Sequence, residues 1–468
     1  MLSITGPTYQ HCDGMSRRSF LTAGALGLGG LSLAELLRAE EQAGIGSSQK
    51  AVIQIHLDGG PPQMDMIDLK PEAPTEVRGE FRPISTTIPG FQVCELLPKL
   101  AADAEDWVFI RSLVGSIGRH DAYQCQSGFD VKDLASLGGR PSLGCVLNRL
   151  WSSSDDVAPT FVDIMQGRPL VRNSARPGFL GPALKPFRPD ISSMFSRPLE
   201  AGMERELAAQ GADHRTSMTL HDEISSDRLA DRRGLLGQLD RIKRRSDRSG
   251  MMHAMDRFHE QATNILTSGR FANAMDLEHE DARTLDLYTA PVPTVERFST
   301  ADDHFAMRKF LLARRLVEAG VRCVSVSFSD FDTHSKNFPR MRHMLPILDH
   351  GLHALITDLR QRGMLDDVTI VVWGEFGRTP KVNANGGRDH WPSVGMGMLA
   401  GGGMSTGQVI GATDRTASSP TSRPVTYQDV LATVYNRLGI RADRTTILDP
   451  TGRPQYLLDH GQPLPEVV

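Results

Sequence analysis

"DVTIVVWGEFGRTPKVNANGGRDHWP", Asp367 to Pro392, decides how this chain is read. Its opening, through Trp373, is apolar and β-branched, the composition of a strand buried on both faces. Glu375 closes that strand, and Asp389 and His390 follow on a glycine-rich loop. Apolar strands that end in ionisable groups point to an open parallel sheet, whose sites gather beyond the carboxyl ends of the strands.

The same pattern recurs upstream. "AVIQIHL" runs into Asp58 and turns through Gly59 and Gly60, and "VRCVSVSF" (Val321 to Phe328) runs into "DFDTH", which holds Asp332 and His334. Further strands are expected at "WVFIRSL" (Trp107 to Leu113), "TFVDIM" (Thr160 to Met165) and "VGMGMLAGGG". Helices are expected between them. One starts at Arg119; one lies in "STADDHFAMRKFLLARRLVEAG", with Thr300 in capping position and Gly320 as its stop. A third, Met341 to Arg362, carries Met344, Leu345, Leu348, Leu352, Leu355 and Leu359 on one face, and "TYQDVLATVYNRLGI" closes the series. This alternation predicts an α/β fold, a largely parallel central sheet covered by helices on both faces. From about 196 to 300, charged residues and methionines at helical spacing predict a helical insertion, read as a cap or lid.

Composition narrows the partners. A 468-residue chain with 40 % hydrophobic residues and a formal net charge of -4 has no basic footprint for nucleic acid. The five cysteines, Cys12, Cys94, Cys125, Cys145 and Cys323, include no CxxC pair, which removes a zinc ribbon and gives no disulfide framework. At the amino terminus, "SRRSFLTAGALGLGGLSLAELL" places paired arginines before an apolar run, Phe20 to Leu33, too short to span about 30 Å of hydrocarbon comfortably. Residues 1–48 are therefore read as a twin-arginine signal and linker, and 49–468 as the folded domain. The expected partner is the twin-arginine export machinery, the expected location periplasmic or secreted, with no permanent membrane span in the mature form.

The strand ends carry the chemistry. Asp58, Asp332, His334, Glu375, Asp389 and His390 are candidate ligands, because carboxylate oxygen and neutral imidazole nitrogen together suit a divalent metal. Zinc or manganese fits best, with calcium also admitted. Each residue has a plainer reading. Asp58 can satisfy turn amides, His334 and His390 can be loop histidines bonded to carboxylates, and Asp389 can orient His390 rather than bind metal. Arg378 either pairs with Glu375 or meets an anionic substrate. After "WVFIRSL", the stretch "VGSIGRHDAYQCQSGF" offers Ser116, His120, Asp121 and Ser127; Ser116 and His120, with Arg378, are the catalytic candidates, Ser116 as nucleophile or as a helix N-cap.

Together "SRRSFL", "GGPPQMDMIDLKP", "DFDTHSKNF" and "GEFGRTP…GGRDHWP" resemble the domain-of-unknown-function 1501 family, secreted and sulfatase-like, over nearly the whole chain. That family in turn resembles the alkaline phosphatase superfamily. The resemblance implies an alkaline-phosphatase-like sandwich and a site in which Asp58 takes the first-strand aspartate, Asp332 and His334 the middle pair, and His390 the later histidine. It places Glu375 on an aspartate and Phe376 on a metal-binding histidine, so one metal position lacks a usual ligand. Asp65 and Asp68 are the candidate replacements, and Pro62 stands where the family commonly has serine. No Cys-x-Pro-x-Arg sulfatase signature or serine variant is present, since "QSG" follows Cys125 and "VLNR" follows Cys145. Two functions are expected from this: an exported metal-dependent hydrolase of sulfate or phosphate esters, acting on a small-molecule or polysaccharide ester without formylglycine, or a catalytically degenerate carbohydrate- or anion-binding protein on the same scaffold.

Overall fold

The computed structural model describes residues 50–468, apart from 135–137, 154, 168–174, 192–193, 196–203, 206–261, 266–267 and 296. The expected export signal, Cys12 and most of the expected insertion lie outside the described residues.

Eight strands form the central sheet: β1 (Ala51–Asp58), β2 (Trp107–Val114), β3 (Phe161–Asp163), β4 (Cys323–Ser329), β5 (Val368–Trp373), β6 (Gly395–Gly401), β7 (Gln408–Ile410) and β8 (Val425–Thr426). Their order is β7-β2-β6-β5-β1-β4-β3, with β8 also on β2. β1 pairs in parallel with both β4 and β5, and β3 in parallel with β4; β7 and β8 lie parallel to β2. Against these pairings β6 runs antiparallel to both β5 and β2. The sheet is thus largely parallel, as the apolar runs predict. The reversal of β6 follows from the loop before it, which starts at the carboxyl edge and leaves the chain there to run back down.

The main helices are α1 (Leu143–Trp151), α2 (Arg308–Glu318), α3 (Asn337–Gln361) and α4 (Tyr427–Arg437). α2 and α3 bury Phe310, Leu316, Leu348 and Leu355 with Ile53, Val326 and Ile370 on one face; α1 and α4 bury Leu147, Val430 and Val434 with Val52, Val371 and Trp373 on the other. On β1 the odd positions are all apolar, whereas Gln54, His56 and Asp58 alternate onto the second face and are buried there.

Several boundaries differ from expectation. The turn before α2 is capped by Asp303, whose carboxylate accepts from Phe305 N at 3.0 Å; Thr300 Oγ1 instead accepts from Arg340 at 2.9 Å. The helix expected from Arg119 begins only at Tyr123 and ends at Ser127, because Gly118, at φ 67, keeps the preceding chain in a turn. The described end of the insertion is helical at Arg270–Met275 and Ala282–Leu287, where Phe271 and Tyr288 are buried in the core against α2 and α3. Arg314 of α2 joins it there, bonded to Glu280 at 2.7 Å and to Asp358 at 2.6 Å.

A candidate metal centre

The site is assembled at the carboxyl edge of β1, β4 and β5. Gly59 follows β1 at φ 105, and a Cβ there would meet Asp332 N at 2.3 Å, so a side chain is excluded where the β1 turn meets the loop bearing Asp332 and His334. That loop is stitched to the returning 383–390 loop by backbone bonds, Lys336 N to Asn385 O at 3.1 Å, Asn337 N to Gly386 O at 2.9 Å and Arg388 N to Thr333 O at 2.8 Å. Gly387 lies flat against His334, where a Cβ would fall 2.2 Å from the His334 carbonyl. These contacts bring side chains 56 residues apart in sequence to one place.

Two donor sets result, His120, Asp332, His334 and His390 in one, and His56, Asp58 and Glu375 in the other; within each set one ligand atom per residue lies within 4.8 Å of the rest. In the first, His334 Nε2 and His390 Nε2 are 3.1 Å apart, and Asp332 Oδ1 lies 3.2 and 3.5 Å from them. The opposite nitrogens are committed: His334 Nδ1 is 2.6 Å from Asp389 Oδ1, and His390 Nδ1 is 2.9 Å from the Gly118 carbonyl. Both partners are acceptors, so each Nδ1 donates, and in the neutral imidazole each Nε2 then carries a lone pair. Two lone pairs at this distance repel unless a cation lies between them. A proton would serve the two imidazoles, but a metal ion would serve Asp332 as well, and the donor types fit zinc or manganese.

The second set is nearly dry, with the side chains of His56 and Glu375 each 1 % exposed against 49 % for His334. Glu375 Oε1 accepts from Gly59 N at 3.0 Å and lies 3.0 Å from His120 Nδ1, while Asp58 Oδ2 accepts from Ser329 Oγ at 3.1 Å. His56 Nε2 is 3.3 Å from Glu375 Oε2, an ion-pair distance, and both Oε2 and His56 Nδ1 are buried without a hydrogen bond among the described residues. These orphaned atoms also fit a cation. His120 joins the sets, its Nε2 lying 3.1 Å from Asp332 Oδ2.

The electrostatics follow from this packing. Burial pushes the Asp332 carboxyl up, but the imidazoles of His120 and His390 beside it and the charge of Arg378 outweigh this and hold it well below the usual carboxylate range. Glu375 behaves likewise, with burial opposed and overcome by His120 and His56. His56 shows the converse, because burial lowers it while Glu375 and Asp58 raise it by more.

The remaining expected residues fall as follows. Arg378 is fully buried and donates to Asp332 Oδ1 at 2.7 Å, to Gly60 O at 3.1 Å, to Arg388 O at 2.9 Å and to Gly59 O. It therefore fixes Asp332, rather than pairing with Glu375 or facing a substrate. Ser116 is no helix N-cap, since Ala122 precedes the Tyr123–Ser127 helix. Its hydroxyl donates to Glu375 O at 2.7 Å and accepts from Gly118 N at 3.1 Å, closing the turn that presents His120. Asp389 orients His334, not His390. Asp65 is held by Arg388 at 2.8 Å and Asn337 at 2.8 Å, and Asp68 by Lys70 at 3.0 Å and Thr413, so neither replaces a ligand. Phe376 packs its ring 4.2 Å from that of His390 and 5.1 Å from that of His120. His120 and His56 stand among the candidate donors; of these His56 was not expected, although its alternation with Asp58 on β1 is the signal that marks it.

Residues 49–468 match the profile of the family described as "Protein of unknown function (DUF1501)", and the chain belongs to that family. A comparison with curated proteins finds no match. Among solved structures the chain is similar to Ps i-CgsB, at 10 % identity over 84 % of this chain and 72 % of that one, with a TM-score of 0.36. It is also similar to the PsFucS1 sulfatase from Pseudoalteromonas sp., at 13 % identity over 88 % and 72 % with a TM-score of 0.35. A third is the phosphonate monoester hydrolase of Agrobacterium radiobacter, at 14 % identity over 83 % and 74 % with a TM-score of 0.31.

Proposed function

We propose that this DUF1501 member is an exported, metal-dependent hydrolase of sulfate or phosphate esters that works without formylglycine. One observation carries the reading: the two imidazole lone pairs of His334 and His390 converge with Asp332 Oδ1 on a common point. A divalent metal held by His334, His390 and Asp332, with His120 beside them, would polarise an ester oxygen or bring the pKa of a water to about 7. The chain's own residues supply the rest. Asp389 and the Gly118 carbonyl fix the tautomers of the two histidines, and Arg378 holds the carboxylate between them. His120 contacts Glu375 through Nδ1 and Asp332 through Nε2. The paired arginines before the apolar leader support twin-arginine export to the periplasm.

The test is to express the full chain with its leader, recover it from the periplasm and measure bound metal and turnover of aryl phosphate and aryl sulfate. Bound divalent metal, and hydrolysis lost in both His334→Ala and His390→Ala, are expected. Metal-free protein, or turnover unchanged in both variants, would eliminate the proposal.

A further inference from the structure

A polar cleft of about 180 Å³ opens at the same edge of the sheet, beyond β3 and β4, lined by Gln166, Phe195, Arg297, Asp302, Phe305 and Arg308 among others. It adjoins the buried donor set through a short chain of bonds. Asp302 N donates to Ser329 O at 2.7 Å, Ser329 N donates back to Asp302 Oδ2 at 3.0 Å, and the Ser329 hydroxyl donates to Asp58. Since neighbouring strands lie about 4.8 Å apart, a cleft above β3 and β4 sits on the order of 10 Å from a site above β1 and β5.

The charges of this cleft do not balance. Asp302 is neutralised by Lys309 at 2.8 Å, and Asp303 by Arg297 at 3.2 Å. Arg308 has no carboxylate partner among the described residues; its guanidinium lies over the Phe305 ring, 4.9 Å from the centroid, and its Nε is buried without a hydrogen bond. Phe305 itself is 42 % exposed, rare for so large an apolar side chain among the described residues. Gln166 is held at the cleft wall by bonds from its backbone N to Ser327 Oγ at 2.8 Å and from its Nε2 to Phe195 O at 3.0 Å. A cation without a carboxylate partner among the described residues and a partly exposed aromatic ring, packed by Arg308 and by His304 at 4.0 Å, thus share one recess. It is smaller than the roughly 300 Å³ from which drug-sized ligand pockets begin, the scale of part of a ligand.

We propose that this cleft is a subsite for an anionic sugar residue. Arg308 takes the sulfate or carboxylate in charge-assisted hydrogen bonds, and the exposed part of the Phe305 ring packs against the sugar. The inference rests on the hydrolase reading for its consequence: with the donor sets one or two strand spacings away, the substrate class is a polyanionic oligosaccharide or polysaccharide, one residue of which lies in the cleft while the ester of another meets the metal centre.

Binding tests this without turnover. Metal-replete full chain is titrated calorimetrically with sulfated maltotetraose and with unsulfated maltotetraose, alongside Arg308→Ala, Phe305→Ala and His390→Ala. The sulfated sugar is expected to bind, its affinity falling at least tenfold in Arg308→Ala and measurably in Phe305→Ala, with part of it surviving in His390→Ala. Equal affinity for the two sugars, no binding of the sulfated one, or no change in Arg308→Ala and Phe305→Ala would overturn the subsite. Absence of aryl ester hydrolysis in the same preparation would remove the hydrolase reading and leave the binding result to decide the subsite alone.

Discussion

The two donor sets meet at His120 but differ in where their protons sit. In the buried set the protein supplies donors to its carboxylates, Gly59 N and His120 to Glu375 and the Ser329 hydroxyl to Asp58, and His56 can add a positive charge of its own. In the open set the Nδ1 hydrogens point outward, to Asp389 and Gly118, and lone pairs point inward. Charges in a nearly dry interior must carry their counter-charges with them, whereas groups at the rim can await a solvated ion. The contrast teaches that a cluster of acids and histidines is not one kind of object: the buried set has the organisation of an ion-pair core, the other that of an open coordination site.

The change with the largest expected effect is Asp332→Asn, which touches the open set and its support together. It removes the only carboxylate from that set and leaves the buried Arg378 guanidinium without its charge partner, a loss of about 3–5 kcal/mol when one member of a buried pair is deleted. Bound metal and thermal unfolding should both fall; retention of stoichiometric metal would erase the distinction between the sets. Glu375→Gln comes next and probes the other side. It should cost a similar 3–5 kcal/mol or somewhat less in thermal or denaturant unfolding, because the amide keeps part of the hydrogen bonding to Gly59 and His120. Metal bound by the open set should persist. If metal is lost with stability unchanged, Glu375 is a ligand and the buried set is the primary site.

Much of this was legible in the chain. Uninterrupted apolar runs announce strands covered on both faces, so the parallel sheet and the placing of Asp58, Asp332 and Glu375 at its carboxyl edge follow from local pattern. Contacts set by tertiary packing do not. Asp65 and Asp68 look free in sequence, but Arg388 and Lys70 engage them through folding. Phe376 reads as a missing ligand only until His120, from a turn 255 residues away from Glu375 in sequence, is seen to reach the same place. His56 hid in an apolar run because a single polar residue on the second face of a strand resembles noise, although Gln54 and Asp58 keep the same period.

Asp389 gives the smallest and most discriminating test, because it acts on the open set only through His334. Its carboxylate accepts from His334 Nδ1 at 2.6 Å and is itself held by Asn383 at 3.2 Å, at a position half exposed to solvent. Two effects are combined in that contact: the tautomer, which any acceptor would fix, and the negative charge, which makes the imidazole a better donor to a metal. An asparagine side chain would keep an acceptor oxygen there without the charge, whereas alanine removes both. Loss of such partners typically lowers metal affinity by roughly 10–100-fold. Asp389→Asn is expected at the lower end and Asp389→Ala at the upper, read by competition with a chelating dye, with unfolding temperature unchanged in each. Equal losses would assign the whole effect to charge. No loss in either would mean that His334 is held by its surroundings alone, and the open set would then be as self-contained as the buried one.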